Sequence, residues 1–217
     1  GMMDTILNLG LNDEICEGLS KKTGNPRFAS DTYRRFLQMY GDVAQGLGNE
    51  KYEAALADFK KSKKYNSDLE MKAEDWSKII ESYKNIFQPP LEPRVQLEKA
   101  IKAVFSSWQN PRAVRYRHFN DIPDHLGTAV IVQAMVFGNK GETSGSGVAF
   151  TRDPATGEKK LYGEYLANAE GEDVVAGIRT PQDLYEFKSQ NPQLFEQLFK
   201  MEEKLDFHLS YNYFTAK

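Results

Sequence analysis

Residues 127–177 read GTAVIVQAMVFGNKGETSGSGVAFTRDPATGEKKLYGEYLANAEGEDVVAG. The run at 129–137 is apolar and β-branched between two glycines, the pattern of a buried strand. Residues 138–147, GNKGETSGSG, then gather four glycines, a lysine and three hydroxyls. A short strand is predicted at 148–151, a turn at 153–157 (DPATG), and a further strand near 161–165. Strand, glycine-rich loop, strand, turn, strand describes a hairpin whose first loop can close over a ligand.

Phosphate is the ligand such a loop suits. Glycine lets the main chain approach an anion closely, and consecutive N–H groups in tight turns form an anion-binding concavity. Lys140 adds a point charge, and Thr143, Ser144 and Ser146 offer hydroxyl donors. The loop lacks the GxxxxGK[ST] order, because its lysine precedes most of its glycines and a strand follows it. On spacing alone, a plain surface connection explains it as readily.

Elsewhere the chain reads as helix. Asn12 is a candidate N-cap with Asp13 and Glu14 in the first turn, and Gly24 closes that helix. Asn25-Pro26 opens a second, with Phe28, Tyr33, Phe36, Leu37, Tyr40 and Val43 on one face. Helices follow at 51–64 (Tyr52, Leu56 and Phe59 inward) and 72–87 (Trp76, Ile79, Ile80, Tyr83, Phe87). These aromatic stripes read as core, and Lys60, Lys61, Lys63 and Lys64 as a solvated face. QPPLEP at 88–93 is a linker, since proline excludes helix and restricts the residue before it. An amphipathic helix at 94–108 shows Val95, Leu97, Ile101, Val104, Phe105 and Trp108. Arg112 and Arg115 share the next helix face and suit either a phosphate or neighbouring acids such as Asp121 and Asp124. Beyond Gly177 a helix is predicted with Thr180 as N-cap and Pro181 first, and another after Asn191-Pro192.

Composition narrows the classes. A chain of 217 residues can bury one large core or two small ones, and a net charge of −3 advertises neither nucleic acid nor an anionic membrane as partner. No apolar run is long enough to span a membrane, and no signal-like segment opens the chain. Cys16 is the lone cysteine, which excludes an internal disulfide; its helical spacing from Leu19 makes it a core residue, and cytoplasmic localisation is expected. His118, His125 and His208 read as packing or surface residues.

Four stretches carry a family resemblance: 133–182, beginning QAMVFGNKGETSGSG; GMMDTILNLGLND at 1–13; RFASDTYRRFLQMYGDV at 27–43; and AVFSSWQNPRAVRYRHFNDIP at 103–123. Together they are similar to the ATP-grasp nucleotide-binding domain of the pyruvate, phosphate dikinases, and more distantly to phosphoenolpyruvate synthases. The likeness fades in 46–93 and after about 205. It implies an α+β fold: a helical insertion subdomain followed by part of an ATP-grasp fold, an antiparallel sheet with flanking helices. By that likeness 1–11 is a remnant of the first lobe, 12–88 the insertion, 94–135 more of the first lobe, and 136–217 the second lobe, an internal piece of a longer enzyme.

The resemblance also implies a site. Main-chain groups at Gln133, Ala134, Met135 and Val136 would face adenine, and Met3 would stand beside the base. Lys140, Thr143, Ser144, Gly145, Ser146 and Gly147 would cap the phosphates, with Arg35 as a further phosphate contact and Glu172 on the ribose. Glu164 stands in a matching segment too, where a plain strand residue is an equal explanation. The ligand would be ATP with Mg2+, although the family's magnesium-holding carboxylates should follow Leu205 and the sequence there does not match them. None of the three histidines has the context of the family's phosphocarrier, so the partners implied are the central phosphohistidine domain and the pyruvate/phosphoenolpyruvate barrel domain. No catalytic residue is expected here, and the isolated chain is expected to be inactive. The alternatives are a non-catalytic nucleotide-binding or interaction module, or a piece of a phosphoenolpyruvate synthase.

Overall fold

Two asparagines set the first helices. The Asn12 carboxamide accepts from the Ile15 N–H at 2.8 Å and starts α1 (Asp13–Thr23), which Gly24 ends in the left-handed region at φ 64°. Asn25 accepts from the Phe28 N–H at 3.0 Å and starts α2 (Pro26–Met39), with proline at its first position. The computed structural model describes residues 2–177 and 179–212, and side chains through residue 205. The reading of His208 and the last five residues therefore lie outside what is described.

The chain divides into two compact units, Gly1–Met135 and Val136–Lys217. In the first, α2 continues into a π-helical turn, Tyr40–Ala44, followed by α3 (Glu50–Lys63), α4 (Ala73–Ile86), α5 (Pro93–Ser106) and α6 (Pro111–Phe119). Its core joins α1, α2, α3 and α4 around Phe36, Leu37, Tyr40, Tyr52, Trp76, Ile79 and Tyr83, each 0–1 % exposed. Side chains so buried contribute roughly 1.5–3 kcal/mol each by leaving water. The aromatic stripes are thus core. Cys16 packs against the same cluster, where burial, then the Asp13 charge, pushes its thiol up to about 11.

Helix α5 forms where expected, with Leu97, Ile101 and Val104 partly buried and Trp108 buried just beyond its end, but its most buried residues are not in the expected stripe. Val95 and Phe105 are 39 % and 46 % exposed, whereas Gln96 and Ala100 are buried. The Gln96 amide donates to the Leu11 and Pro90 carbonyls at 3.0 and 2.6 Å and accepts from the Gly10 N–H at 3.0 Å. A buried amide with every group satisfied outweighs a modest apolar face, which periodicity does not weigh.

The second unit is a three-stranded antiparallel sheet in the order β1-β2-β3 with helices beside it. Its elements are β1 (Gly145–Phe150), β2 (Tyr162–Ala167), α7 (Gly171–Val175), β3 (Gln182–Asp183), α8 (Leu184–Gln190) and α9 (Pro192–Asn212). Successive β2 residues point to opposite faces: Leu166 packs with Val148, Ala169 and Val174, and Tyr165 with Leu161, Leu184, Phe187 and Phe195. The turn before β2 forms as predicted, Asp153 accepting from the Ala155 and Thr156 N–H groups at 2.7 and 3.1 Å. Mostly helical with a small antiparallel sheet, the chain is α+β in the coarse sense.

Two expectations are corrected. Residues 129–137 form no strand: they are irregular, with Ile131, Val132 and Val136 at 86 %, 63 % and 84 % exposure. A strand needs a ladder partner, and among the described residues the sheet comprises β1, β2 and β3 alone. The helix expected from Pro181 begins at Leu184 instead, because Gln182 and Asp183 pair with Tyr165 and Glu164 of β2. Asp183, not Thr180, caps it, accepting from the Tyr185 N–H at 2.6 Å.

Candidate functional site

The glycine-rich segment is shorter as a loop than its sequence suggests. Strand β1 starts at Gly145, so Gly145, Ser146 and Gly147 lie in the ladder opposite Ala167, Leu166 and Tyr165. The remaining loop is pinned at both ends by one backbone stretch: the Ala169 N–H donates to the Gly138 carbonyl at 2.9 Å, and the Asn168 N–H to the Ser144 carbonyl at 2.7 Å. Between these pins the chain makes short turns, one closed by the Ser144 N–H to the Gly141 carbonyl at 2.9 Å. Lys140 and Thr143 are exposed on it. A cation, a hydroxyl and turn amides on a loop with fixed ends can receive an anion.

Gly138 is at the crowded end. A β-carbon there would run into the Ala169 carbonyl, the Ser146 hydroxyl and the Gly145 carbonyl, so the Ser146 side chain lies against Gly138. A β-carbon on Gly145 would run into the Tyr165 ring. The Tyr165 hydroxyl is itself pushed up by burial, then by the charge of Glu142. Glu142 in turn meets the Asn168 side-chain amide at 3.4 Å.

Past the pins, residues 168–170 lead directly into α7, whose second residue is Glu172. Asn168 takes φ 48°, a left-handed conformation that asparagine tolerates, and its carbonyl accepts from Arg179 at 2.8 Å. The Glu170 N–H donates to the Asp173 carboxylate at 2.9 Å, fixing the start of α7. Thus Lys140, Thr143, Ser144, Gly145, Ser146, Gly147 and Glu172 belong to one connected piece of the second unit, as does Val136. Sequence reasoning missed Asn168 as the pin; its signal was an asparagine after a strand and before a helix start.

Met3, Arg35, Gln133, Ala134 and Met135 fall in the first unit. Arg35 is 8 % exposed on α2, its Nε 3.4 Å from the Asp31 carboxylate. Arg34 reaches the same carboxylate at 2.6 Å and stacks over Trp76 with 4.7 Å to the ring centroid. Burial raises the Asp31 pKa, but Arg35, Arg34 and Arg27 outweigh it and hold the carboxyl at about 2. Gln133 and Ala134 are exposed in the irregular 127–137 stretch. Arg112 pairs with Asp4 at 2.7 Å and Arg117 with Asp124 at 2.7 Å, so two of the three clustered arginines meet acids.

The first unit also holds an open cleft of about 440 Å³, lined by the π-turn residues Val43 and Ala44, by Gln45, Lys99 and Lys102, and by Asp4, next to Met3 in sequence. Among the described residues no three His, Cys, Asp or Glu side chains come together to hold a metal ion. Nor is any helix long and apolar enough to cross a membrane.

Comparison with known proteins bears on all of this. Residues 1–208 match the family described as "Pyruvate phosphate dikinase, AMP/ATP-binding domain". The chain is similar to the pyruvate, phosphate dikinase of Clostridium symbiosum, 54 % identical over 215 residues, which is 96 % of this chain and 25 % of that protein. The Rhizobium meliloti (strain 1021) dikinase is 56 % identical over 192 residues, 86 % of this chain and 21 % of its own length. A chloroplastic dikinase of Mesembryanthemum crystallinum is 51 % identical over 214 residues, covering 96 % and 22 %. The chain therefore spans about a quarter of the length of these curated relatives.

Proposed function

The chain belongs to the pyruvate phosphate dikinase AMP/ATP-binding domain family, and from that premise we propose that it is the ATP-binding part of a dikinase that transfers phosphoryl groups from ATP to a histidine in another domain, and on to phosphate and pyruvate. The products of the whole enzyme are then phosphoenolpyruvate, AMP and pyrophosphate. The observation that carries the reading is the pinned loop at 138–144, whose ends are fixed by Asn168 and Ala169 while Lys140 and Thr143 stay exposed.

In this reading the two units are ATP-grasp lobes, residues 1–11 and 94–135 in the first and 136–217 in the second, with 12–88 as a helical insertion. Phosphoryl transfer leaves little covalent work to the protein; it asks for positioning and for charge placed against the phosphates. Lys140 supplies a point charge, and the Thr143 and Ser144 hydroxyls supply donors, with loop amides that neither the ladder of Gly145–Gly147 nor the Gly141–Ser144 turn already uses. Arg35 adds to the positive field, Glu172 orients the ribose, and the main chain of Gln133, Ala134, Met135 and Val136 reads the order of donor and acceptor on adenine beside Met3. Magnesium accompanies the nucleotide, but the described residues offer no carboxylate cluster suited to it, and no step here depends on one. The remaining dikinase domains are the partners, and the cytoplasm the proposed compartment.

Calorimetry with ATP in the presence of magnesium tests this. Binding in the micromolar range is expected, weakened about tenfold by Lys140→Ala through loss of one charge-assisted contact. Gly145→Val is a poor probe, since its side chain would strike Tyr165 whatever the loop binds. No heat at millimolar ATP, with the chain shown to be folded, would overturn the proposal.

A further inference from the structure

Met3 lies at a bend in the N-terminal segment that precedes α1, outside any helix or strand. Four hydrogen bonds with sequence-distant residues hold its neighbours. The Asp4 N–H donates to the Ser107 hydroxyl at 3.1 Å. The Asp4 carboxylate accepts from the Arg112 guanidinium at 2.7 Å on one oxygen and from the Asn110 amide at 2.8 Å on the other. Arg112 also donates to the Met2 carbonyl at 3.4 Å. The residues on both sides of Met3 are thus fixed, and Met3 itself is left between them.

The anchor is rigid in its own right. Ser107 donates to the Val104 carbonyl at 2.7 Å, the Asn110 N–H to the Ser107 carbonyl at 3.1 Å, and Pro111 starts α6 immediately afterwards. The ion pair is half open to water, with Arg112 61 % and Asp4 21 % exposed. Pairs exposed to this degree add little to global stability. Two oxygens each held by a donor of a different kind nevertheless fix direction as well as distance, which is what a supporting shell provides.

We propose that Asp4 is a positioning residue for nucleotide recognition: its clasp on Asn110 and Arg112 sets where Met3 stands against the base, and so sharpens the choice of adenine over guanine. This rests on the functional reading above, in which Met3 flanks the base.

The test uses this chain with Asp4→Ala, Asp4→Glu and the exchanged pair Asp4→Arg with Arg112→Asp, titrated with ATP and separately with GTP. Asp4→Ala should weaken ATP about tenfold, as loss of one charge-assisted positioning contact does, and leave GTP nearly unchanged, so the preference collapses. Melting temperature should stay within about 2 °C of the parent. Hydrogen exchange across residues 2–6 should accelerate without nucleotide, and the Glu variant and the exchanged pair should each restore part of the preference. Equal loss for ATP and GTP with a large fall in melting temperature would make Asp4 merely structural and overturn the proposal. So would faster exchange with an unaltered ATP:GTP ratio. If the parent chain takes up no ATP, the functional reading fails and this one with it, an outcome distinct from both because no variant is needed to see it.

Discussion

Asp31 is wholly enclosed and shared by Arg34 and Arg35 on one helix face. Removing one member of such a buried network leaves the other charges uncompensated, so Asp31→Asn should cost about 3–5 kcal/mol, measured by urea unfolding. The pH dependence has a definite sign. Its carboxyl lies at about 2 in the folded chain against an ordinary 3.8, so the folded state binds fewer protons between these values. The stabilisation is complete above about pH 4 and is lost as pH falls toward 2. A urea midpoint that does not fall between pH 4 and pH 2.5 faster in the parent than in the Asn variant would contradict this. Asp31 stands three and four residues before its arginines, a helical spacing for ion pairs, yet the sequence reading makes Arg35 only a phosphate contact. What spacing could not reveal was burial, which turns Arg35 from a free cation into part of a packed network before any phosphate arrives.

At the scale of elements, the hairpin depends on a close approach that only a residue without a side chain permits. Gly138→Ala pushes a methyl into the Ala169 carbonyl and the Ser146 hydroxyl, so the pins from Asn168 and Ala169 should loosen together. Faster hydrogen exchange at Asn168 and Ala169, with the far-UV helical signal of the first unit unchanged, is the expected result; unchanged exchange at both amides would refute the pin. Local signals foretold α1, α2 and the Asp153 turn, because caps and turn residues act within a few positions, and apolar periodicity foretold α3 and α4. Residues 129–137 were misread because periodicity reports that a run is apolar, not that a neighbouring strand is present to pair with it. The start of α8 shifted for the converse reason: β2 captured Gln182 and Asp183, a contact made across sequence and invisible to a cap rule. The site was legible mainly as a glycine-rich stretch, while its clamp at Asn168 and the Asp4 clasp arise from residues far apart in sequence.

For the molecule as a whole, two compact units meet in sequence at an irregular, exposed stretch. Backbone without a ladder or a helix is where proteases cut first. Limited proteolysis with an enzyme that prefers apolar residues should therefore cleave first within residues 127–137, releasing a helical fragment and a sheet-containing one, identified by mass. A first cut inside α2 or β1 would show instead that the connection is protected.

That same ribbon sets a practical ceiling on handling. Residues 126–138 contain no charged side chain, so nothing along them repels an identical ribbon on a neighbouring molecule. Concentrated stocks should gel or cloud well before a chain of this net charge otherwise would. A single gatekeeper, Ile131→Lys, should raise the usable concentration without touching either packed interior.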